Sequence, residues 1–339
     1  MRIAAQLDNR ALDNELSKIH QGYLIGRIKP PIQHENTDVI LNQQKQTMMM
    51  AHLPLNNLIC IKQIMNAGQA GLAASFQGKI LDAERAYKLA GKTIKNSQLN
   101  DESNLVIKDN FNAAKGYFDY RQKDYESARE NLNISLEACM TLINKYGYNF
   151  LEGRTIHLAC NILKIEACSG DRKKALEIAC YLINSMQGDR SKVVDANINL
   201  LEPVRHLSFT DQYFLFTQVF GEVAKLLANC NDEEAKELVD LADSYIKDCN
   251  WSADKQFGRE YIWFQNKKTL LRGKIGEFLT ESSNFLAEGR KASKLLWHAT
   301  VLDVLKICHN IDSEISSQLQ TQIREDFSNY KYLPGILRG

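Results

Sequence analysis

The chain has 339 residues, 44% hydrophobic and 24% charged, and its 42 basic and 41 acidic side chains leave a net charge of +1. That balance excludes a global field able to gather nucleic acid or an anionic membrane surface, and only five prolines interrupt what is expected to be helix throughout. No run approaches the ~18 apolar residues of a membrane span. The first ten residues lack the apolar centre of a signal peptide, and the eight cysteines stand singly with no C-x-x-C pair, so buried, reduced thiols in the cytoplasm are the expectation.

A first helix is predicted over residues 2–20, with Ile3, Leu7, Leu12, Leu16 and Ile19 as its apolar face. Residues 21–34, with two glycines and Pro30-Pro31, read as an irregular loop. A helix over Thr37–Ala51 should stop before Pro54, its Met48–Met50 run filling core space. The first hairpin follows: Leu58–Phe76, a turn at Gly78-Lys79, then Ile80–Ile94, with Ala67, Ala70, Gly71 and Ala74 stacked on Ala83, Tyr87 and Ala90. Residues 109–135 repeat the device around a turn at Gln122–Asp124, and Gly116 and Ala128 stand where two antiparallel helices touch most closely. Weaker copies open at Gly170-Asp171, Asn231-Asp232 and Gly276-Glu277. The marker positions Ala83, Ala128, Ala175, Ala235 and Glu281 recur at intervals of 45, 47, 60 and 46 residues. Periodicity of this kind signals stacked units, since one hairpin cannot bury its own apolar face. The long interval holds an insert, Asn184–Ser208, with an extra helix expected over Val193–Leu201; helices over Arg290–His309 and Ser313–Asn329 close the chain. The expected organisation is an N-terminal helical cap with a Pro/Gly loop over 1–57, a repeat array over 58–329 and a fraying tail over 330–339.

At these residues the pattern resembles the tetratricopeptide repeat. Gly71, Gly78, Ala83, Tyr87 and Ala90 match its small, turn, small, aromatic and small positions. Gly116, Tyr125 and Ala128 match too, with Leu132 and Ser135 at the aromatic and second small positions, while Gly170, Ala175, Ala235 and Ala242 match in part. The family's usual period is 34, which here separates only Glu281 from Ile315; the longer intervals are similar to those of divergent repeats in bacterial regulators and peptide receptors. The resemblance implies an all-α fold, a right-handed superhelical stack of five or six hairpins (a tetratricopeptide-like α-solenoid). Its concave groove would be lined by the first helix of each hairpin. Carried onto this chain, the groove positions are Asn110, Tyr117, Tyr120 and Arg121 from the second hairpin and His157, Cys160, Asn161 and Lys164 from the third. Such side chains suit a peptide, whose backbone amides and carboxylates need donors and flat contact area. The Lys-and-Asn carboxylate clamp of chaperone-binding members is not found at the matching places, so a C-terminal acidic tail is not the expected ligand.

Other chemistries find less in the sequence. His157, Cys160 and Cys168 are zinc-ligand types near one helix face but lack a fourth partner, so no metal or cofactor is expected and apolar packing of Cys160 and Cys168 is the reading. There is no G-x-S-x-G elbow, phosphate-cradling G-x-x-x-x-G-K-[ST] or H-E-x-x-H. Glu233-Glu234 open a helix, where the dipole accounts for them, and Trp251, Trp263 and Trp297 read as core. The basic clusters Arg172–Lys174 and Lys267, Lys268, Arg272 and Lys274 read as solvated helix faces, and residues 1–60 lack a basic recognition helix for DNA. The expected function is a non-enzymatic cytoplasmic scaffold, adaptor or regulatory sensor that takes a protein segment or peptide in its groove, without nucleic-acid or membrane partners. Two alternatives stand beside it. One is an enzyme or small-ligand protein with a pocket between the N-terminal cap and the first hairpins, closed by loop 21–34 with Arg27 and His34 turned inward. The other is self-association, as a homodimer, through an apolar end left by the last hairpins.

Overall fold

The computed structural model describes residues 9–30, 37–187, 207–246, 258–290 and 293–328. Among the described residues the regular structure is all helical, in fourteen α-helices. The expected helix Val193–Leu201, His34, Trp251 and the tail lie outside the described residues. No helix among the described residues is long and apolar enough to cross a membrane. The chain divides into two compact units, one of residues 35–215 and one of residues 1–34 with 216–339.

Following α1 (Asn9–Arg27) in the chain, the unit of residues 35–215 opens with the helix Thr37–His52 (α2), followed by α3 (Leu55–Phe76), α4 (Ile80–Asn96), α5 (Asp101–Arg121), α6 (Tyr125–Tyr146), α7 (Glu152–Ser169) and α8 (Arg172–Met186). α3 with α4, α5 with α6 and α7 with α8 form hairpins; α3 also packs on α5, and α6 on α7. The recurring turn has a physical cause. A residue in the left-handed region ends the first helix at Gly78, Lys123 and Gly170, where glycine carries no Cβ penalty and Lys123 does. After the second and third of these turns an acidic cap opens the next helix, whereas Lys79 opens the helix after Gly78 without a side-chain cap. Asp124 accepts from the Ser127 N–H at 3.1 Å and Asp171 from the Lys174 N–H at 3.1 Å. Four residues after each cap comes the buried small side chain, Ala128 or Ala175. A Cβ added to Gly116 would stand 3.1 Å from the Ala128 carbonyl oxygen, so the two helix backbones meet at the residues expected to allow it. Of the methionine run, Met49 is buried while Met50 is exposed.

The other unit holds α1 (Asn9–Arg27), the later part of α9 (Phe209–Ala228), α10 (Asp232–Ile246), α11 (Gly258–Leu271), α12 (Ile275–Ala287), α13 (Lys294–Cys308) and α14 (Glu314–Ser328). Several expectations are corrected here. Residues 21–27 are helix, not loop, because Gly22 and Gly26 serve close packing: a Cβ at either would stand 2.4 Å from the Ser283 carbonyl oxygen or 1.8 Å from that of Leu286 on α12. α1 therefore belongs with the C-terminal helices. Arg27 is held by Asp326, at 3.0 and 2.9 Å, beside the Tyr23 hydroxyl, which donates to the same carboxylate at 2.6 Å. The turn before α12 is made by Gly273, in the left-handed region, and Gly276 sits inside the helix, so the buried Phe278 takes the position of the marker alanine. Lys267 is not solvated but buried against Asp303 at 2.7 and 2.9 Å, and Lys268 pairs with Asp243 at 2.5 Å. α13, apolar nearly all round, is buried along most of its length. Trp297 stacks on Tyr23 with centroids 5.4 Å apart and donates to the Leu286 carbonyl at 3.0 Å, and Trp263 is buried edge-on to Phe220.

Candidate functional site

A cleft of about 430 Å³ lies in the unit of residues 35–215, lined by α3, α5 and α7, the first helices of the three hairpins. These helices run in the same direction: Asn57 bonds Ser103 near one pair of ends, and the Phe76 and Tyr117 rings meet with centroids 4.5 Å apart near the other. On α7 the lining residues Arg154, His157, Leu158, Asn161 and Lys164 form one stripe at helical spacing. α5 contributes Ile107, Asn110, Phe111, Ala113, Ala114 and Tyr117. α3 contributes Ile64, Met65, Gly68, Gln69, Leu72 and Phe76. The floor is apolar and the α7 wall polar and cationic. A Cβ built on Gly68 meets nothing within 4 Å, so the missing side chain leaves part of the space.

Behind the α7 wall lies a buried charge cluster that joins four helices. The Asp109 carboxylate, on α5, is fully buried. It accepts from Lys45 Nζ of α2 at 2.5 Å, from Cys139 Sγ of α6 at 3.1 Å and from Arg154 Nε of α7. The Ser135 hydroxyl donates to the Asp109 carbonyl at 2.6 Å, and Arg154 Nη2 donates to the same oxygen at 3.1 Å. Burial alone would raise the Asp109 carboxyl; Arg154 and Lys45 outweigh it and hold it well below the usual carboxylate range. Burial and the adjacent carboxylate push the Cys139 thiol up, so it stays a neutral donor. Two cations around one carboxylate leave the cluster with an excess positive charge facing the cleft through Arg154.

Five of the expected groove residues, Asn110, Tyr117, His157, Asn161 and Lys164, come together on this one cleft from two helices. Asn110 Nδ2 turns back to the Val106 carbonyl at 2.6 Å, and Lys164 Nζ donates to Asn161 Oδ1 at 3.2 Å. Tyr120 and Arg121 are not among the lining residues. The Tyr120 hydroxyl lies 3.6 Å from Cys168 Sγ, and Arg121 Nη1 donates to the Tyr117 hydroxyl at 3.1 Å, bracing the ring that does line the cleft. Cys160 is buried while His157 is exposed, so the two diverge from one helix, and Cys168 is exposed rather than packed in the core.

Sequence reasoning missed Arg154 and the whole α3 contribution. Arg154 was legible, since it precedes His157 by three residues on the stripe that continues through Asn161 and Lys164. The α3 residues were hidden because its alanines and glycines account equally well for packing against α4. Comparison with protein-family models, with curated proteins and with solved structures yields no match for this chain.

Proposed function

We propose that the unit of residues 35–215 is a non-enzymatic peptide-binding module, a tetratricopeptide-like stack of hairpins that serves as scaffold, adaptor or regulatory sensor. The observation that supports this reading is the convergence of three parallel first helices on one cleft with an apolar floor and a polar wall. Apolar lining with a few placed polar groups is the usual composition of a ligand site. Asn161, whose Oδ1 is occupied by Lys164, keeps its amide hydrogens for a peptide carbonyl, and Asn110, whose amide nitrogen is occupied by Val106, keeps its oxygen for a peptide N–H. The free cysteines buried among the described residues fit a reducing, cytoplasmic setting.

The test is selection of a random peptide library on the immobilised chain, with Gly68→Leu as counter-selection. The substituted side chain occupies the cleft from a backbone position with open space around it, so the fold is expected to survive, as circular dichroism would verify. Peptides that bind the natural chain and not Gly68→Leu support the reading. Enrichment of the same peptides on both refutes it.

A further inference from the structure

The net charge of +1 conceals an uneven distribution. Residues 55–96, the α3–α4 hairpin, carry six basic side chains (Lys62, Lys79, Arg85, Lys88, Lys92 and Lys95) against two acidic ones (Asp82 and Glu84), a net +4. The same hairpin holds five of the ten large hydrophobic side chains exposed among the described residues, Leu55, Ile59, Phe76, Leu81 and Leu89. Both features concentrate on α4. It buries Ala83, Tyr87 and Ala90, and the opposite side of the helix carries Leu81, Arg85, Lys88, Leu89, Lys92 and Lys95, all exposed. Leu81 is 68% and Leu89 60% exposed. The two carboxylates stand toward the flanks of this face. Asp82 lies 3.7 Å from Arg85 with both side chains mostly in water, a pairing worth little. From Arg85 to Lys95 is ten residues, so four cations follow one another over about 15 Å.

Three kinds of partner carry the complementary charge, and the leucines separate them. Leu81, Arg85, Lys88, Lys92 and Lys95 recur at alternating steps of four and three, the spacing of a coiled-coil seam, but four of the five are cations where a partner helix needs apolar knobs. A nucleic-acid backbone matches the cations and leaves both leucines facing phosphate and water. An anionic bilayer matches both sets. Its headgroups meet the ammonium and guanidinium ends, while the leucines and the methylene stems of the lysines reach the acyl boundary.

We propose that α4 docks this chain peripherally on a bilayer containing anionic phospholipid, with Leu81 and Leu89 entering the headgroup–acyl boundary among Arg85, Lys88, Lys92 and Lys95. These six residues are not among those lining the cleft, so lipid docking and peptide binding stand or fall separately.

The experiment is sedimentation of the full chain with vesicles of phosphatidylcholine alone, or of two parts phosphatidylcholine to one part phosphatidylserine. Three double variants accompany the natural chain: Lys88→Glu/Lys92→Glu, Leu81→Ser/Leu89→Ser and, as a control of equal charge change in the other unit, Lys236→Glu/Lys306→Glu. All six positions are exposed, so each variant is expected to fold, as circular dichroism would verify. Each cation held near an anionic surface favours binding roughly fivefold. The natural chain should therefore bind the serine-containing vesicles at least tenfold more tightly than the neutral ones. The preference should fade with salt, since the field reaches ~30 Å at 0.01 M and ~3 Å at 1 M. Lys88→Glu/Lys92→Glu should lose tenfold or more, Leu81→Ser/Leu89→Ser about threefold or more at unchanged charge, and the control should stay within about twofold of the natural chain. Equal binding to both vesicle types overturns the proposal, as does a control that loses as much as Lys88→Glu/Lys92→Glu. Leucine substitutions without effect overturn it too, because the cations alone do not single out a bilayer. Retention on immobilised duplex DNA that is lost with Lys88→Glu/Lys92→Glu, without vesicle binding, would give this face to nucleic acid instead.

Discussion

α3 carries two buried glycines three residues apart, and the structure assigns opposite signs to the same substitution at each. At Gly68 an added Cβ has nothing within 4 Å. Alanine there keeps only the helix-propensity gain, about 1 kcal/mol over glycine, much of it from a less flexible unfolded chain. At Gly71 the same Cβ would stand 2.8 Å from Cζ of Tyr87 and 3.0 Å from both Cε atoms. That ring cannot step aside freely. Its hydroxyl donates to the Ala114 carbonyl at 2.9 Å, and it packs on Phe118 and Phe111 with centroids 5.4 and 6.0 Å away. Overpacking of this kind costs about 1–3 kcal/mol, and loss of the Tyr87 hydrogen bond adds about 1 kcal/mol. Set against the propensity gain, Gly71→Ala should destabilise by about 1–3 kcal/mol while Gly68→Ala stabilises by about 1 kcal/mol. Urea unfolding followed by far-ultraviolet circular dichroism measures both, with unchanged slopes required for the comparison. Two shifts of the same sign and similar size would show that α3 and α4 do not approach each other at Gly71 as described.

Three further outcomes follow from buried groups. Asp109→Asn leaves Lys45 and Arg154 without their counter-charge and should cost about 3–5 kcal/mol in urea unfolding. Because the folded Asp109 carboxyl is held below its unfolded value, its contribution is present above pH ~4 and is lost as the pH falls below that. His298 is fully buried, and burial, helped by Lys294 and Arg290, pushes its imidazole down to about 3. The folded chain then stays neutral where the unfolded chain takes a proton, so stability falls as pH drops from ~6.5 toward 3. The loss is about 2 kcal/mol at pH 5, and a non-titrating His298→Gln variant should lack that slope when unfolding midpoints at pH 5 and 7.5 are compared. Gly26→Ala drives a Cβ into the Leu286 carbonyl and should prise α1 from α12 at a cost of about 3 kcal/mol or more. Hydrogen exchange would register this as loss of protection in α1 and in the α12 face it covers.

The hairpins of residues 55–186 were readable because their turns obey local rules. A left-handed terminator, an acidic cap and a small residue four positions on can all be seen in the string K-D-Y-E-S-A or G-D-R-K-K-A. Close packing that uses the same residues for a different end was not readable. Gly22 and Gly26 look like loop punctuation until the partner backbone of α12 is in place, and that partner is some 260 residues away in sequence. Charge burial was equally hidden, since Lys267 in a run of basic residues gives no sign that Asp303 waits for it. For the cleft, a stripe on one helix was legible residue by residue, as Asn161 and Lys164 illustrate. Whether a side chain faces the space or braces a neighbour was not, as Arg121 on the Tyr117 hydroxyl illustrates.

The pairing of α1 with α12 and α14 has a consequence for how the protein is made. Arg27 and Asp326 are 299 positions apart, yet the unit that contains them is sealed only when both are present. At ~5–20 residues per second, a ribosome that has released α1 needs roughly 15–60 s to deliver its partner. Throughout that time Leu12, Leu16, Ile19 and Tyr23, all buried in the finished unit, have no surface of their own to cover them. The intervening residues 35–215 can meanwhile complete their hairpins from near neighbours in sequence. Biogenesis is thus ordered by topology, with the middle of the chain maturing first and the two ends closing last. The N-terminal helix is the segment most exposed to chaperones, proteases and misassociation along the way.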